Sequence, residues 1–407
     1  MSIEIREVKT RRELQAFIQF RYDLYRGDPY DVPYLHFDEL RTLRSDRNAA
    51  FEDCIAAYFL AYRDGKVVGR VAAIINARAN EHWQKKVVRF GWFDFIDDYE
   101  VSSALLHTVE EWGRERGMDR IVGPMGFTDT DREGMLVEGF DSLATMYANH
   151  NYDYYPRHID HYGGFAKDND YVEVLVRVPD KIPEKIAKVA QIVEQRSGLR
   201  VHKLTRKELM FEGYGREVFS MLNETYKDLY GFARLSNRKI DQLVRQYIRI
   251  ADLNLVSIIV DTHADNKMVG FGITFPSLSQ AMQKTRNGRV FPFAWARLLD
   301  AIYWHHADTV DMLLIGVLPE YRAMGANALI FNDLVGQYIR YGFKWAQAMP
   351  QMETNHGILS NWEYFDAHVN KRLRCFAKEI EHTSCIVHSA KSVYICVGKK
   401  TTTDHTD

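Results

Sequence analysis

Apolar and polar positions alternate along the 407-residue chain in a way that predicts strands and helices in turn. In the first half, residues 58–63 and 67–75 predict two antiparallel strands, because Asp64 and Gly65 between them form a hairpin turn signal. Residues 88–95 predict a further strand. Asp97 or Asp98 is then expected to cap a helix whose apolar face comprises Val101, Leu105, Val109 and Trp112.

The second half repeats this order of elements. Residues 255–261 and 268–275 predict two strands around a short turn, and residues 310–317 predict the next strand. A helix with an apolar face follows and ends at Gly342, after which residues 344–349 predict a strand. The pattern therefore indicates an α/β fold in which one unit is duplicated.

The clearest break in composition lies at residues 178–183, where two prolines interrupt a strand-like run. The length of the chain also favours two domains. We predict an N-terminal domain over residues 1–180, a linker and junction helix over 181–198, a C-terminal domain over 199–398, and a polar tail over 399–407.

The bulk composition narrows the class of protein. Apolar residues make up 46% and charged residues 27% of the chain, and the formal net charge is -2. This balance gives no overall attraction to nucleic acid or to anionic membranes, although it leaves a local patch open. No apolar run is long enough to span a bilayer, and the start of the chain lacks a signal-peptide pattern, so we expect a cytoplasmic protein. Four scattered cysteines favour reduced thiols and no metal site.

Residues 313–331 combine a buried strand, a polar loop and an apolar helix. Free backbone N–H groups at a helix N-terminus carry the positive end of the helix dipole and bind anions such as pyrophosphate. Gly325 would let the backbone approach such a ligand, and Arg322 would add positive charge. A structural cap is the common alternative for a glycine in this place.

The Arg322-x-x-Gly325 motif resembles the acyl-CoA signature of the GNAT superfamily, with Asn327 where that family usually has Gly or Ala. The resemblance implies two domains, each a mixed, mostly antiparallel sheet flanked by helices, and an acetyl-CoA or longer acyl-CoA co-substrate. It assigns cofactor contacts to Ile315, Val317, Arg322, Ala323, Met324, Gly325, Ala326, Asn327 and Asn355.

The first half is similar to the N-terminal region of bacterial tandem GNAT-like proteins. The similarity rests on residues 68–73, 117–124, 133–141 and 154–165. This half has no Arg-x-x-Gly at the matching strand-to-helix junction, where residues 95–98 place acidic groups that would repel phosphate. We therefore expect no separate cofactor site in it.

The resemblance implies acyl transfer to an amine, a small-molecule or lipid-like acceptor. Backbone N–H groups near residues 315–317 would polarise the thioester carbonyl. The family's spacing from Asn355 falls on Trp362; we name Tyr364 as candidate acid and Glu353 as candidate base, with a packed aromatic ring and a cap-forming carboxylate as the respective alternatives.

Three further carboxylates, Glu133, Glu138 and Asp141, are candidates for an acceptor-amine pocket, with a solvated loop as the alternative. His158 and His161, and His305 and His306, are read as packing or helix-end residues rather than metal ligands. The aromatic residues 291–295 would line an acyl tunnel or build core. A catalytically silent module that binds coenzyme A or a small ligand is the alternative function.

Overall fold

The structure is a computed structural model, and it describes residues 2–247, 251–292, 294–304 and 307–381. His305, His306 and the predicted tail at 399–407 lie outside these ranges. The strands of the described chain are β1 (Glu4–Glu7), β2 (Cys54–Arg63), β3 (Lys66–Asn76), β4 (Val87–Phe95), β5 (Arg120–Gly123), β6 (Met135–Glu138), β7 (Ala166–Arg177), β8 (Leu199–His202), β9 (Val256–Asp261), β10 (Lys267–Pro276), β11 (Thr309–Val317), β12 (Trp345–Met352) and β13 (Ala367–Glu379).

The helices flank this sheet on both faces. They are α1 (Arg11–Leu24), α2 (His36–Thr42), α3 (Ala77–Trp83), α4 (Tyr99–Arg114), α5 (Tyr154–Tyr162), α6 (Glu184–Arg196), α7 (Arg206–Phe211), α8 (Tyr214–Thr225), α9 (Asn237–Tyr247), α10 (Ser279–Gln283), α11 (Ala294–Tyr303), α12 (Pro319–Arg322), α13 (Ala326–Tyr341) and α14 (His356–Leu359). None of the helices within the described ranges combines the length and apolar character needed to cross a bilayer.

The predicted α/β class and its duplicated unit are both present. In the first half β4, α4 and β5 form a parallel crossover, and in the second half β11, α13 and β12 form the same one. Asp98 caps α4 as expected, because its side chain accepts hydrogen bonds from the backbone N–H groups of Glu100 and Val101. The junction helix expected after the proline break is α6, which packs against α13.

The two halves share one continuous sheet in the order β1-β2-β3-β4-β5-β13-β7-β12-β11-β10-β9-β8, with β6 also pairing β13. The last strand of each half therefore lies in the other half. β13 is inserted between β5 and β7, and β7 pairs both β13 and β12. We call this arrangement the strand exchange. Strands from before residue 180 and from after residue 199 pair in this one sheet. The domain limits drawn from the sequence stay a prediction.

Alternation along the strands explains the layers of the second half. Ile259 in β9 packs under α6 and α13, whereas its neighbours Val256, Ile258 and Val260 face the cluster built by α7, α8 and α9. Every residue of β9 is buried, as expected for a strand covered on both faces. These two layers of helices enclose the cavities described below.

Candidate active site

The parallel strands β11 and β12 pair at one end and separate at the other. Their register covers Thr309–Met312 with Trp345–Ala348, and no pairing follows beyond it. Ile273 pairs with Leu314 and Thr274 with Met312, so Leu313 is a β-bulge. The bulge bends β11 at the point where the strands part. The gap holds a cavity of about 500 Å³, which we call the C-terminal wedge.

Ile315 and Val317 line this wedge with their backbones turned toward it. Leu318 donates its N–H to Val269 of β10, so the alternate residues Ile315 and Val317 direct their backbone groups away from β10. The Ile315 carbonyl accepts a 3.1 Å hydrogen bond from the Tyr226 hydroxyl, and the Val317 carbonyl accepts one of 3.1 Å from Arg322 Nε. The wedge edge of β11 is thus available for polar contacts with a ligand.

Of the predicted cofactor loop, Arg322 and Asn327 line the C-terminal wedge, whereas Ala323, Met324, Gly325 and Ala326 do not. Gly325 precedes α13 with φ of 86°, and no side chain caps the N-terminus of this helix. A Cβ at residue 325 would lie 2.8 Å from Val193 Cγ2 of α6. The positive φ at the start of α13 fits the structural-cap alternative for Gly325, and the contact with α6 is a second structural reason for glycine there. No side chain occupies the N–H groups of this helix end, so they stay open to an anion.

Asn355 lines the wedge, but Tyr364 and Glu353, the predicted acid and base, do not. Tyr364 is 39% exposed, and its hydroxyl accepts a 3.2 Å hydrogen bond from Lys185 Nζ. Glu353 forms ion pairs with Lys167 and, at 3.0 Å, with Arg372. Gly357, Ile358 and Trp362 of this segment also line the wedge, and none of them has an acidic side-chain proton to give.

The N-terminal half contributes two carboxylates to the same wedge. Glu133 was expected near an acceptor, and its Oε2 accepts a 2.5 Å hydrogen bond from the Tyr171 hydroxyl. Asp129 was not expected, and its Oδ1 has no hydrogen-bond partner. Enclosure away from water raises the pKa of Asp129 to about 7 and that of Glu133 to about 8, although Arg89 opposes both shifts.

The other two acceptor candidates lie elsewhere. Glu138 is exposed and pairs with Arg372 at 3.3 Å, and Asp141 is exposed on the loop that follows. Neither lines the wedge. Their surroundings are those of the solvated-loop alternative. The carboxylates that line the cavities instead belong to residues 129–133.

An apolar cavity of about 270 Å³, which we call the apolar chamber, continues from the wedge. Its walls include Leu209 of α7, Val218 and Leu222 of α8, and Leu243 of α9. The wedge and the chamber share the lining residues Asp129, Glu133, Tyr171, Tyr226, Leu313, Leu314, Met349 and Pro350. The two carboxylates thus stand where a polar gap meets an apolar space.

The corresponding gap in the first half is a third cavity of about 440 Å³, the N-terminal wedge. β4 and β5 pair only over Val87–Arg89 and Arg120–Val122 before they part. The helix that follows β4 offers no anion site, because Asp98 occupies the N–H groups of α4 and pairs with Arg63 at 2.6 Å. This wedge and the apolar chamber share Thr130, Asp131, Tyr147 and Leu243.

No family model matches the chain. It is 26% identical over 391 residues to protein YghO of Escherichia coli, covering 92% of this chain and 95% of that protein. It is 27% identical over 319 residues to the bacterial ceramide synthase of Caulobacter vibrioides, covering 77% and 80% respectively.

Solved structures carry the same fold at low sequence identity. A tandem GNAT protein from the clavulanic acid biosynthesis pathway is 10% identical, covers 94% of this chain and 100% of its own, and has a TM-score of 0.55. A GCN5-related N-acetyltransferase from Sphaerobacter thermophilus is 13% identical, covers 93% and 96%, and has a TM-score of 0.50. Among the described residues, no group of His, Cys, Asp and Glu is arranged to hold a metal ion. The chain therefore has the fold of these GNAT acetyltransferase structures.

Proposed function

We propose that this protein transfers a medium or long acyl group from acyl-CoA to the amine of a lipid-like acceptor. The observation that carries the proposal is the junction of the C-terminal wedge with the apolar chamber, where Asp129 and Glu133 meet both spaces. The wedge suits a polar thioester carrier, the chamber suits an apolar chain, and carboxylates suit an ammonium group.

The donor would lie along β11. The N–H groups of Ile315 and Val317 would contact the polar arm of acyl-CoA, and the uncapped start of α13 with Arg322 would receive its pyrophosphate. Asn327 and Asn355 would border the same ligand from α13 and α14. The acyl chain would pass the bulge at Leu313 and enter the apolar chamber.

The acceptor amine must lose a proton before it attacks the thioester. Asp129, with its unpartnered Oδ1, is the proposed base, and Glu133, held by Tyr171, is the proposed partner for the ammonium. The thiolate of coenzyme A is a good leaving group near neutral pH, so no acid in the place predicted for Tyr364 is needed. The ceramide synthase relative supports a lipid-like amine, since a ceramide is an amide of a long-chain amino alcohol.

A catalytically silent module that binds coenzyme A or a small ligand is the second candidate. The surroundings of Tyr364 and the replacement at Asn327 favour it. The two functions separate on turnover: release of free thiol from decanoyl-CoA that depends on an added sphingoid base supports the transferase, whereas binding of decanoyl-CoA without release supports the silent module.

Chain length is expected to control donor affinity. Each buried methylene contributes about 0.8 kcal/mol, so octanoyl-CoA should bind at least about 100-fold more tightly than acetyl-CoA in calorimetry. Val218→Trp fills the apolar chamber and should reduce octanoyl-CoA affinity to about that of acetyl-CoA, while acetyl-CoA affinity stays unchanged.

The matched control is Val369→Trp, because Val369 is 51% exposed on β13, outside the chamber. Thermal melting of both variants checks that each is folded. Equal affinity for acetyl and octanoyl donors in the wild type would rule out the chamber as the acyl site, and no binding of any acyl-CoA would overturn the donor assignment itself.

A further inference from the structure

The segment between β10 and β11 carries large aromatic side chains on its outer surface. Phe291 is 78% exposed, Trp295 45%, Tyr303 54% and Trp304 63%. The sequence suggested that residues 291–295 line an acyl tunnel or build core; Phe293 lies outside the described residues, and Phe291 and Trp295 do neither. We call these four exposed side chains the aromatic face.

Helix α11 has two apolar sides, of which one is covered. Ala294, Leu298, Ala301 and Ile302 form the buried side, and the last three belong to a cluster with residues of the first half and of α10. At 100° per residue, Leu299 and Tyr303 fall on the arc away from these residues, whereas Trp295 lies at the border of the buried side, next to Ile302. A helix at the surface of a globular protein normally places polar residues there, so this second apolar side calls for a partner.

Exposed cations lie in the same segment of the chain as the aromatic face. Lys284, Arg286, Arg289 and Arg297 are all exposed, and none has a carboxylate at ion-pair distance within the described part of the chain. Asp300 is the single acidic residue between positions 277 and 304. The local charge is therefore positive on a chain whose net charge is slightly negative.

Two of these arginines are held by a tight turn. Asn287 and Gly288 have φ of 54° and 64°, and Arg286 and Arg289 bridge across them. A Cβ at residue 288 would lie 1.7 Å from the Tyr34 carbonyl oxygen, and the Gly288 carbonyl accepts a 3.0 Å hydrogen bond from the N–H of His36. The turn is thus fixed against the first half rather than free in solvent.

The same contact places the turn at residues 286–289 beside the N-terminal wedge. His36 begins α2, and the next residue, Phe37, is 55% exposed and lines the N-terminal wedge. Gln283 adds hydrogen bonds of 2.8 Å and 3.2 Å to the carbonyls of Pro29 and Asp31. The turn and α10 are therefore hydrogen-bonded to the segment that leads into the rim of the N-terminal wedge.

We propose that the aromatic face and its four cations dock this protein onto a bilayer that contains anionic lipids. Tryptophan, tyrosine and phenylalanine partition to the level of lipid headgroups, where their rings are partly apolar and partly wet. Basic residues around them are attracted to the negative surface potential of such a bilayer. Helix α11 lies flat at the surface with its covered side toward the protein.

The test is flotation of the full chain with vesicles of phosphatidylcholine alone and of phosphatidylcholine with phosphatidylglycerol. The wild type is expected to float with the anionic vesicles and to be released by high salt. Arg286→Gln with Arg289→Gln should weaken that binding about 25-fold, since each cation near an anionic surface contributes roughly fivefold. Phe291→Ser with Trp304→Ser should reduce binding at least tenfold.

The matched control is Met210→Ser with Phe211→Ser on α7, which removes exposed apolar side chains of 50% and 78% exposure elsewhere. It should float like the wild type. Tryptophan fluorescence with brominated lipid gives a second readout, because contact of Trp304 with the bilayer quenches emission in the wild type and less in Trp304→Ser.

Three results would overturn the proposal. One is equal flotation of wild type and aromatic variant. Another is flotation only after removal of residues 382–407, which would mean that this chain's own C-terminal segment covers the face. The third is self-association without flotation, which would assign the face to a second copy. The assay needs no turnover, so its outcome is independent of the proposed acyl transfer.

Discussion

Cutting the chain between Asp180 and Lys181 is expected to leave the two pieces bound to each other as one particle. β7 lies in the first piece, yet it shares ten register pairs with β13 and six with β12, both in the second piece. Separation would leave the backbone edges of β7, β12 and β13 unpaired, so we expect the two pieces to associate with a Kd below about 1 nM. An inserted protease site, followed by gel filtration with and without urea, measures it.

Lys371 provides the sharp variant for this experiment. Its Nζ lies 3.0 Å from Glu173 Oε2 across the strand exchange, with both side chains almost fully buried. Lys371→Met leaves a buried carboxylate unpaired, which costs about 3 to 5 kcal/mol, and should weaken association of the cut pieces at least 100-fold.

Lys344→Met is the matched control, because the Lys344–Asp308 pair is exposed and contributes under about 1 kcal/mol. Its cut pieces should stay together. If cutting at the proline break instead releases two separately folded, monodisperse halves, the strand exchange is absent in solution and the domain limits near residue 180 mark true domains.

Asp129→Asn is expected to lower kcat for acyl transfer by about 100- to 1,000-fold, with the acyl-CoA affinity unchanged. The amide cannot accept the proton of the ammonium, whereas its volume matches the carboxyl group that it replaces. The assay is thiol release from decanoyl-CoA with a sphingoid base. The deficit should shrink toward pH 10, where more of the acceptor is already the free amine.

The pH dependence of stability gives an independent check on Asp129. Its pKa of about 7 lies above the ordinary value of 3.8, so the native state holds the proton more tightly than the unfolded state. Native stability is therefore lost as the pH rises from about 4 through 7, the reverse of the usual carboxylate. Asp129→Asn removes this loss. The difference in Tm between the variant and the wild type should therefore shift in favour of the variant by roughly 2 to 4 °C from pH 5 to pH 8.5.

Glu138→Gln and Asp141→Asn are the controls for the carboxylates. Both side chains are exposed and outside the wedge, so we expect less than a twofold change in kcat. Glu133→Gln should mainly raise the KM of the amine, because Glu133 is proposed to hold the ammonium. Full activity of Asp129→Asn with a flat pH profile would remove it from the reaction.

Local patterns in the sequence were sufficient to predict individual strands, turns and helices. The hairpin at Asp64, the cap at Asp98 and the helix α6 follow from short-range rules of turn and cap formation, and the structure contains each of them. The strand exchange does not follow from such rules. Whether β13 pairs with β12 or with β5 depends on contacts between residues more than 200 positions apart, which no local pattern encodes.

The site divides in the same way. Arg322, Asn327 and Asn355 could be predicted to lie near one another because strand, loop and helix follow in order along the chain, and all three line the C-terminal wedge. Tyr364 lies outside the wedge. Its position could not be predicted because the sequence does not fix the number of residues between the end of β12 and the side chains that reach the wedge. Asp129 was missed because its enclosure comes from α8 and α9, which are remote in sequence. The alternation of Asp129, Asp131 and Glu133 was the one signal available.

The position of β13 also determines how long its neighbouring strands stay unpaired during translation. β5 and β7 leave the ribosome roughly 200 residues before the strand that lies between them, which at about 5 to 20 residues per second is an interval of about 10 to 40 s. During that interval both strands present free edges that other nascent chains can pair with. Slow translation or scarce chaperone would therefore affect this chain through aggregation of its early half, well before any defect of its finished sheet.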